Sequence, residues 1–223
     1  MLSSFIRVFF IVFAFSLLIG LGIWQLERAH QKKSLLQKIE ARAHQPITHP
    51  YDLLKKKEFS FFPTQLEGDF DYKHKILLDN KTKQGRAGYE LYIPFKIKGL
   101  DYYILVDTGW TPFFLEHQAP PSSATTHEHT VSGTLHLPPA YFALGGFQRD
   151  KETQWPLRVE YLDLQKIGNL LGYQLFPYVL CQEVCQVITI TPAKHIAYAV
   201  QWFCLALALG VMVFIIYRNR NSL

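Results

Sequence analysis

The sequence predicts an α+β membrane protein in which an N-terminal and a C-terminal transmembrane helix flank one antiparallel β-rich domain, barrel- or sandwich-like, with short helices. Three observations carry this expectation. Val8–Leu26 and Ile196–Tyr217 are uncharged apolar runs of 19 and 22 residues. As helices they reach about 28 and 33 Å, against a hydrocarbon core of about 30 Å. All 18 Asp/Glu lie between the two runs, while only Arg7, Arg218 and Arg220 lie outside them. The region between the runs alternates short β-prone stretches with turn residues.

The positive-inside rule puts both basic ends in the cytoplasm or matrix and exports the 169 residues from Glu27 to His195. The expected organisation is a cytoplasmic N-terminus (1–7), a first span (8–26), a helical stalk (27–50), an exported β-rich domain (51–194), a second span (195–217) and a cytoplasmic basic tail (218–223). The first run reads as an uncleaved anchor. Its leading segment carries only Arg7, and its apolar core exceeds the roughly 7–15 residues of a signal peptide. The net charge of +5 is divided between +3 on the termini and +2 in the middle, too little to point to nucleic acid.

The helical pattern continues past the first span. Glu27–Ala43 has no Pro or Gly and keeps Leu35, Leu36 and Ile39 apolar, until Pro46 and Pro50 end it. Lys32 and Lys33 sit where lipid head groups are expected, and Lys55–Lys57 reads as a solvated face. From Phe59 the period shortens. Phe59–Phe62 and Gln65–Tyr72 read as a strand pair or one bulged strand. Lys75–Lys83 is a strand, Gln84–Gly88 a turn, and Tyr89–Ile97 a strand whose Pro94 signals an edge or a bulge. Lys98–Asp101 turns the chain into Tyr102–Trp110. Together these strands imply an antiparallel meander. Glu116–Glu128 is a polar loop, Thr130–Leu137 a strand, and Ala140–Trp155 resists assignment. Asp163–Leu171 is a short helix capped by Asp163 and ended by Gly172. Tyr173–Leu180 and Val184–Ile190 form a terminal hairpin.

The candidate chemistry gathers at one membrane boundary. Trp24, Gln25 and Arg28 close the first span; His195, Tyr198, Gln201 and Trp202 open the second. His195, Tyr198 and Trp202 follow i, i+3, i+7 and share a helix face. An aromatic belt with a snorkelling Arg28 accounts for most of these groups. Gln201 is different: it lies about 8 Å inside the span by helical rise, and an amide at that depth wants the other helix, a partner protein or a ligand. An imidazole such as His195 is a common axial ligand of haem iron, although a lone interfacial His is more often a polar anchor.

Elsewhere the signals are weaker. Cys181-x3-Cys185 fits a structural disulfide or two free thiols better than a copper site, and Cys204 is a packing residue inside the second span. His127, His129 and His136 read as solvent-exposed, not metal-binding; no metal ion is expected. Asp107 in Asp107–Thr108–Gly109 matches half of an aspartic-protease motif, and a turn at Gly109–Trp110 accounts for the glycine. A membrane-tethered hydrolase using Asp107 and a copper carrier using Cys181 and Cys185 are therefore the alternative functions.

Four motifs in order resemble the Surfeit locus protein 1 family. Trp24–Gln25 followed by Arg28 is similar to its W-Q-x-x-R signature, and Gly88–Tyr89 followed by Pro94 to its G-Y-x-x-x-x-P strand. Leu105–Pro112 resembles its L-V-N-R-G-W-V-P strand, and His195–Phe203 its H-x-x-Y-A-x-Q-W-F opening of the second span. The resemblance runs from one end of the chain to the other. It implies a non-enzymatic factor that helps assemble cytochrome c oxidase, aiding delivery or insertion of haem a into the large subunit. It implies a multi-pass protein of a bacterial plasma (inner) membrane with a periplasmic central domain, equivalent to the inner mitochondrial membrane with the domain in the intermembrane space. The implied partners are the large oxidase subunit, other oxidase assembly factors and the lipid bilayer, with no nucleic acid, and haem a is held only transiently. His195 matches the family histidine proposed to touch haem. Trp24, Gln25, Arg28, Tyr198, Gln201 and Trp202 become candidates for contact with haem or partner. Asp107–Thr108 departs from the family's Asn–Arg. That exchange removes a cation and adds an acid, which argues against a shared anion or propionate contact there but leaves the fold expectation intact.

Overall fold

A computed structural model describes residues 2–55, 58–112, 129–139, 146–148, 154–182 and 190–220. Among them, two helices are long and apolar enough to cross a membrane: α1 (Leu2–Ala43) and α3 (Pro192–Arg220). The Glu116–Glu128 loop, most of Ala140–Trp155, His127, Cys185 and all of Val184–Ile190 except Ile190 lie outside the described residues.

The chain divides into two compact units, Met1–Lys38 with Gln186–Leu223, and Ile39–Cys185. In the first, α1 and α3 pack through side chains at heptad spacing. Leu18, Gly22, Gln25, Ala29 and Lys32 of α1 are buried or half-buried; so are His195, Ala199, Trp202, Ala206 and Leu209 of α3. The spacing alternates between three and four residues, which keeps one face turned toward the neighbour. Gly22 permits the close approach: a Cβ there would collide with the ring of Phe203. Small residues at such a contact are the usual device where lipid removes any hydrophobic drive for helices to pair.

The described residues of the second unit form seven strands: β1 (Pro63–Phe70), β2 (Ile76–Lys83), β3 (Arg86–Ile97), β4 (Tyr103–Pro112), β5 (His129–His136), β6 (Leu157–Val159) and β7 (Leu175–Cys181), with α2 (Leu164–Leu171) before β7. The sheet order is β1-β5-β7-β4-β3-β2-β6, and β1 also pairs with β3. That extra pairing closes β1, β5, β7, β4 and β3 into a five-stranded barrel, with β2 and β6 extending from it. Gly68 belongs to both ladders at the closure, opposite His129 of β5 and Ile97 of β3. The Lys96 carbonyl occupies the place where a Cβ of Gly68 would stand.

Strand alternation sorts the apolar residues onto two faces. Leu66, Phe95, Ile104, Val106, Val131, Leu135 and Leu180 form one core to which all five barrel strands contribute. Ile76, Leu78, Tyr92, Leu105 and Val179 form the other, covered by Ile167 of α2 and by Leu157 and Val159 of β6. Each such side chain stabilises the fold by about 1.5–3 kcal/mol relative to exposure. The α2 helix forms as its ends dictate: the Asp163 carboxylate accepts from the Lys166 backbone N–H, and Gly172 adopts φ 75° after the last turn.

Several expectations are corrected. The sheet is not a pure antiparallel meander, because β2–β6 and β4–β7 pair in parallel. Phe59–Phe62 is not a strand; Phe61 takes φ 68°, a conformation incompatible with a continuing ladder. The turn at Gln84–Gly88 shrinks to Gln84–Gly85, and β3 starts at Arg86. Pro94 lies inside β3, paired with Leu105, where the opposite edge of the strand changes partner: β2 reaches Tyr92 and β1 begins at Phe95. A residue without an N–H fits that gap between ladders.

Candidate functional site

The chemistry of the helical unit centres on His195. The imidazole is buried, with 8% of its surface exposed, and its Nδ1 lies 2.7 Å from Gln25 Oε1. An amide oxygen only accepts, so Nδ1 carries the proton and donates it. In the neutral ring the lone pair then lies on Nε2. Sequence spacing had grouped His195 with Tyr198 and Trp202. The structure puts His195 inside the helix pair, leaves Trp202 half-buried, and leaves Tyr198 49% exposed. Spacing orders residues around one helix but does not say which sector faces the second helix. The small residues Gly22, Ala29, Ala199 and Ala206 were the available signal for that.

Trp24 is exposed, with the Arg28 guanidinium 5.5 Å from its ring centroid; Arg28 also donates to Gln31 Oε1 at 3.2 Å. The pair is a cation–π contact along one side of α1. Gln201 is exposed and makes no hydrogen bond to any described residue. Gln25, which the family resemblance marks as a candidate for contact with haem or partner, supplies the amide that joins the helices.

The β-domain holds Asp107, which is 9% exposed. The residues Asp107–Thr108–Gly109 form a bulge inside β4, not the expected turn: the β3–β4 register runs from Glu90↔Trp110 to Tyr92↔Asp107, skipping Leu91. The motif satisfies its own broken ladder. The Thr108 hydroxyl donates to the Leu91 carbonyl (3.1 Å), the Gly109 N–H donates to Asp107 Oδ1 (2.9 Å), and Gly109 takes φ 107°. Burial pushes the Asp107 carboxyl above its ordinary pKa; the Gly109 N–H opposes this, and the Glu90 charge adds to it. Tyr92 is fully enclosed, and burial followed by the charges of Asp107 and Glu90 holds its proton firmly. Its hydroxyl donates to Glu90 Oε2 (3.2 Å), which also pairs with Lys81 (2.9 Å).

Cys181 is disulfide-bonded, and Cys204 is a free, exposed thiol rather than a packing residue. A disulfide sulfur offers Cu(I) no thiolate. His129 and His136 are half-buried, not exposed. His136 stacks edge-on against Phe61, and burial lowers its pKa. Among the described residues no group of three or more His, Cys, Asp or Glu is placed to hold a metal ion.

Fold and site together define a two-helix membrane protein that carries a five-stranded barrel and keeps one hydrogen-bonded histidine between its helices. The SURF1 family model matches residues 12–207, most of the chain, so the chain belongs to the SURF1 family. It is 26% identical to a SURF1-like protein of Rickettsia conorii, over 95% of this chain and 91% of that protein. Surfeit locus protein 1 of Homo sapiens is 22% identical over 87% of this chain and 72% of its own. The Rattus norvegicus Surfeit locus protein 1 is 28% identical over 49% of this chain and 40% of its own.

Proposed function

We propose that this chain is a non-catalytic, membrane-anchored assembly factor for cytochrome c oxidase that helps deliver haem a to, or insert it into, the large subunit. Family membership supports the process. The Gln25–His195 hydrogen bond is the observation that carries the haem step. It orients the ring so that the neutral form carries its lone pair on Nε2, the nitrogen an axial iron ligand would use, and a hydrogen bond at the other ring nitrogen commonly raises ligand basicity. Haem a is cargo in this reading, held transiently and passed on. Trp24, Arg28, Tyr198 and Trp202 are the proposed aromatic and cationic contacts for haem or for the large subunit, and other oxidase assembly factors are the further partners.

The proposed setting is a bacterial inner membrane with the barrel domain in the periplasm. The charge asymmetry across the spans supports it, and so does the disulfide at Cys181, since such bonds persist in oxidising compartments. The structural task of Asp107 at its own bulge gives a hydrolase reading no added support.

Deleting the protein and recording a reduced-minus-oxidised difference spectrum of the membranes tests the reading. The haem a band is expected to fall while haem b bands persist; an unchanged haem a band rejects it. His195→Ala, with haem a measured in the detergent-purified protein, isolates the ligand step, and unchanged occupancy removes His195 from it. Reporter fusions at Tyr103 and Leu135 test the orientation, and a cytosolic signal overturns it.

A further inference from the structure

The side of α3 turned away from α1 carries a polar group that bonds to none of the described residues. Gln201, Cys204, Ala208, Val211 and Ile215 repeat at alternating spacings of three and four, the periodicity of a helix-pairing face. At 100° per residue this row lies about half a turn from the His195–Ala199–Ala206 row that packs on α1. All five residues are exposed, and a groove runs along the row beside Leu207 and Met212. Gln201 sits about 8 Å below the start of the apolar run, and its amide makes no hydrogen bond to any described residue. In hydrocarbon an amide has no water to satisfy it, so polar side chains at such depths face protein.

We infer that this face binds a second copy of the chain, with the two Gln201 amides hydrogen-bonded to each other across a parallel two-fold helix pair. Three features select a copy over an unrelated helix. A copy inserted in the same direction brings its own Gln201 to the same depth, with no further requirement on its sequence. An amide both donates and accepts, so two of them satisfy each other reciprocally. The face carries no charge, and two-fold pairing of a face with itself therefore buries none. The small side chains of Cys204 and Ala208 let the backbones approach below the amide pair. The face is separate from the one that holds His195, so pairing leaves the proposed haem ligand in place.

Cys204 supplies the test, being a free thiol on the face while Cys181 is already in a disulfide. Two full-length copies with tags of different size are expressed together, and their membranes are oxidised with copper–phenanthroline, which takes two electrons and two protons from a thiol pair. Three cross-linked bands are expected, two homodimers and the mixed dimer, all absent in Cys204→Ser. Gln201→Leu should weaken the mixed band about three- to twenty-fold, the range for one interhelical hydrogen bond. Gln201→Asn should retain most of it and shows that the face still folds. Only monomer, a Cys204 adduct to a different protein, or a Gln201→Leu dimer as strong as the original overturns the inference.

Discussion

Gln25 and His195, 170 positions apart in the chain, meet at 2.7 Å inside a helix pair where Gly22, Ala29, Ala199 and Ala206 are buried and Trp202 is half-buried. The amide is thus the group that decides which imidazole nitrogen holds the hydrogen. A polar contact of this kind orients one side chain and at the same time pins two helices in register.

Gln25→Leu should therefore cost more than the bond itself, because it strands a buried N–H. A loss of about 1–3 kcal/mol is expected, read as a lower thermal midpoint of the detergent-solubilised protein. His195→Leu in the same background should restore part of the loss. Single and double variants that are simply additive would show that the two side chains are not coupled.

Gly22 should tolerate no larger side chain, because the Phe203 ring fills the space above it. Gly22→Leu is expected to destabilise the helix pair by about 1–3 kcal/mol through overpacking. The helical circular dichroism should stay unchanged, since each helix persists when the pair separates. An unaltered thermal midpoint would show that the two helices do not touch there.

Barrel closure rests on the same kind of approach at Gly68, under the Lys96 carbonyl. Here the neighbour is backbone and cannot rotate away. Gly68→Ala should lower stability by about 2 kcal/mol or more, measured by denaturant unfolding followed through the intrinsic aromatic fluorescence. Protection of β1 amides against hydrogen exchange should fall with it.

Asp107 gives a pH signature. Its carboxyl keeps its proton to a higher pH in the folded state than in the unfolded chain. Between the two pKa values the folded state binds more protons, so stability falls as pH rises through that window and stays lowered above it. Asp107→Asn keeps an oxygen for the Gly109 N–H and removes the charge. The variant should match the parent below the window and exceed it at neutral pH, in thermal midpoints recorded across both ranges. Parallel profiles for the two proteins would show that Asp107 is ordinarily ionised.

Much of this architecture was legible in the sequence where a local signal and the tertiary structure agree. Asp163 and Gly172 mark α2 at both ends, and the uncharged runs mark the helices that pair. The failures occur where long-range partners decide. The aromatic run Phe59–Phe62 has strand composition, but Phe61 turns the chain. The three-residue β6 carries too few positions for any period to show, and its partner β2 lies far away in the chain. Asp107–Thr108–Gly109 invited a catalytic reading, because a motif's letters do not reveal that its hydroxyl and carboxylate repair a broken ladder. Burial of His195 depended on α1, a helix that its own heptads never mention.

The last of the described strands has an unequal share in making the barrel. β7 inserts between β4 and β5, so neither neighbour has its full set of partners until the chain through Cys181 has emerged from the ribosome. Before that moment two strands display bare edges, a template for aggregation and a target for proteases. A premature stop codon anywhere upstream of Leu175 should therefore yield no partly working fragment, only a tethered, unclosed sheet that quality control removes.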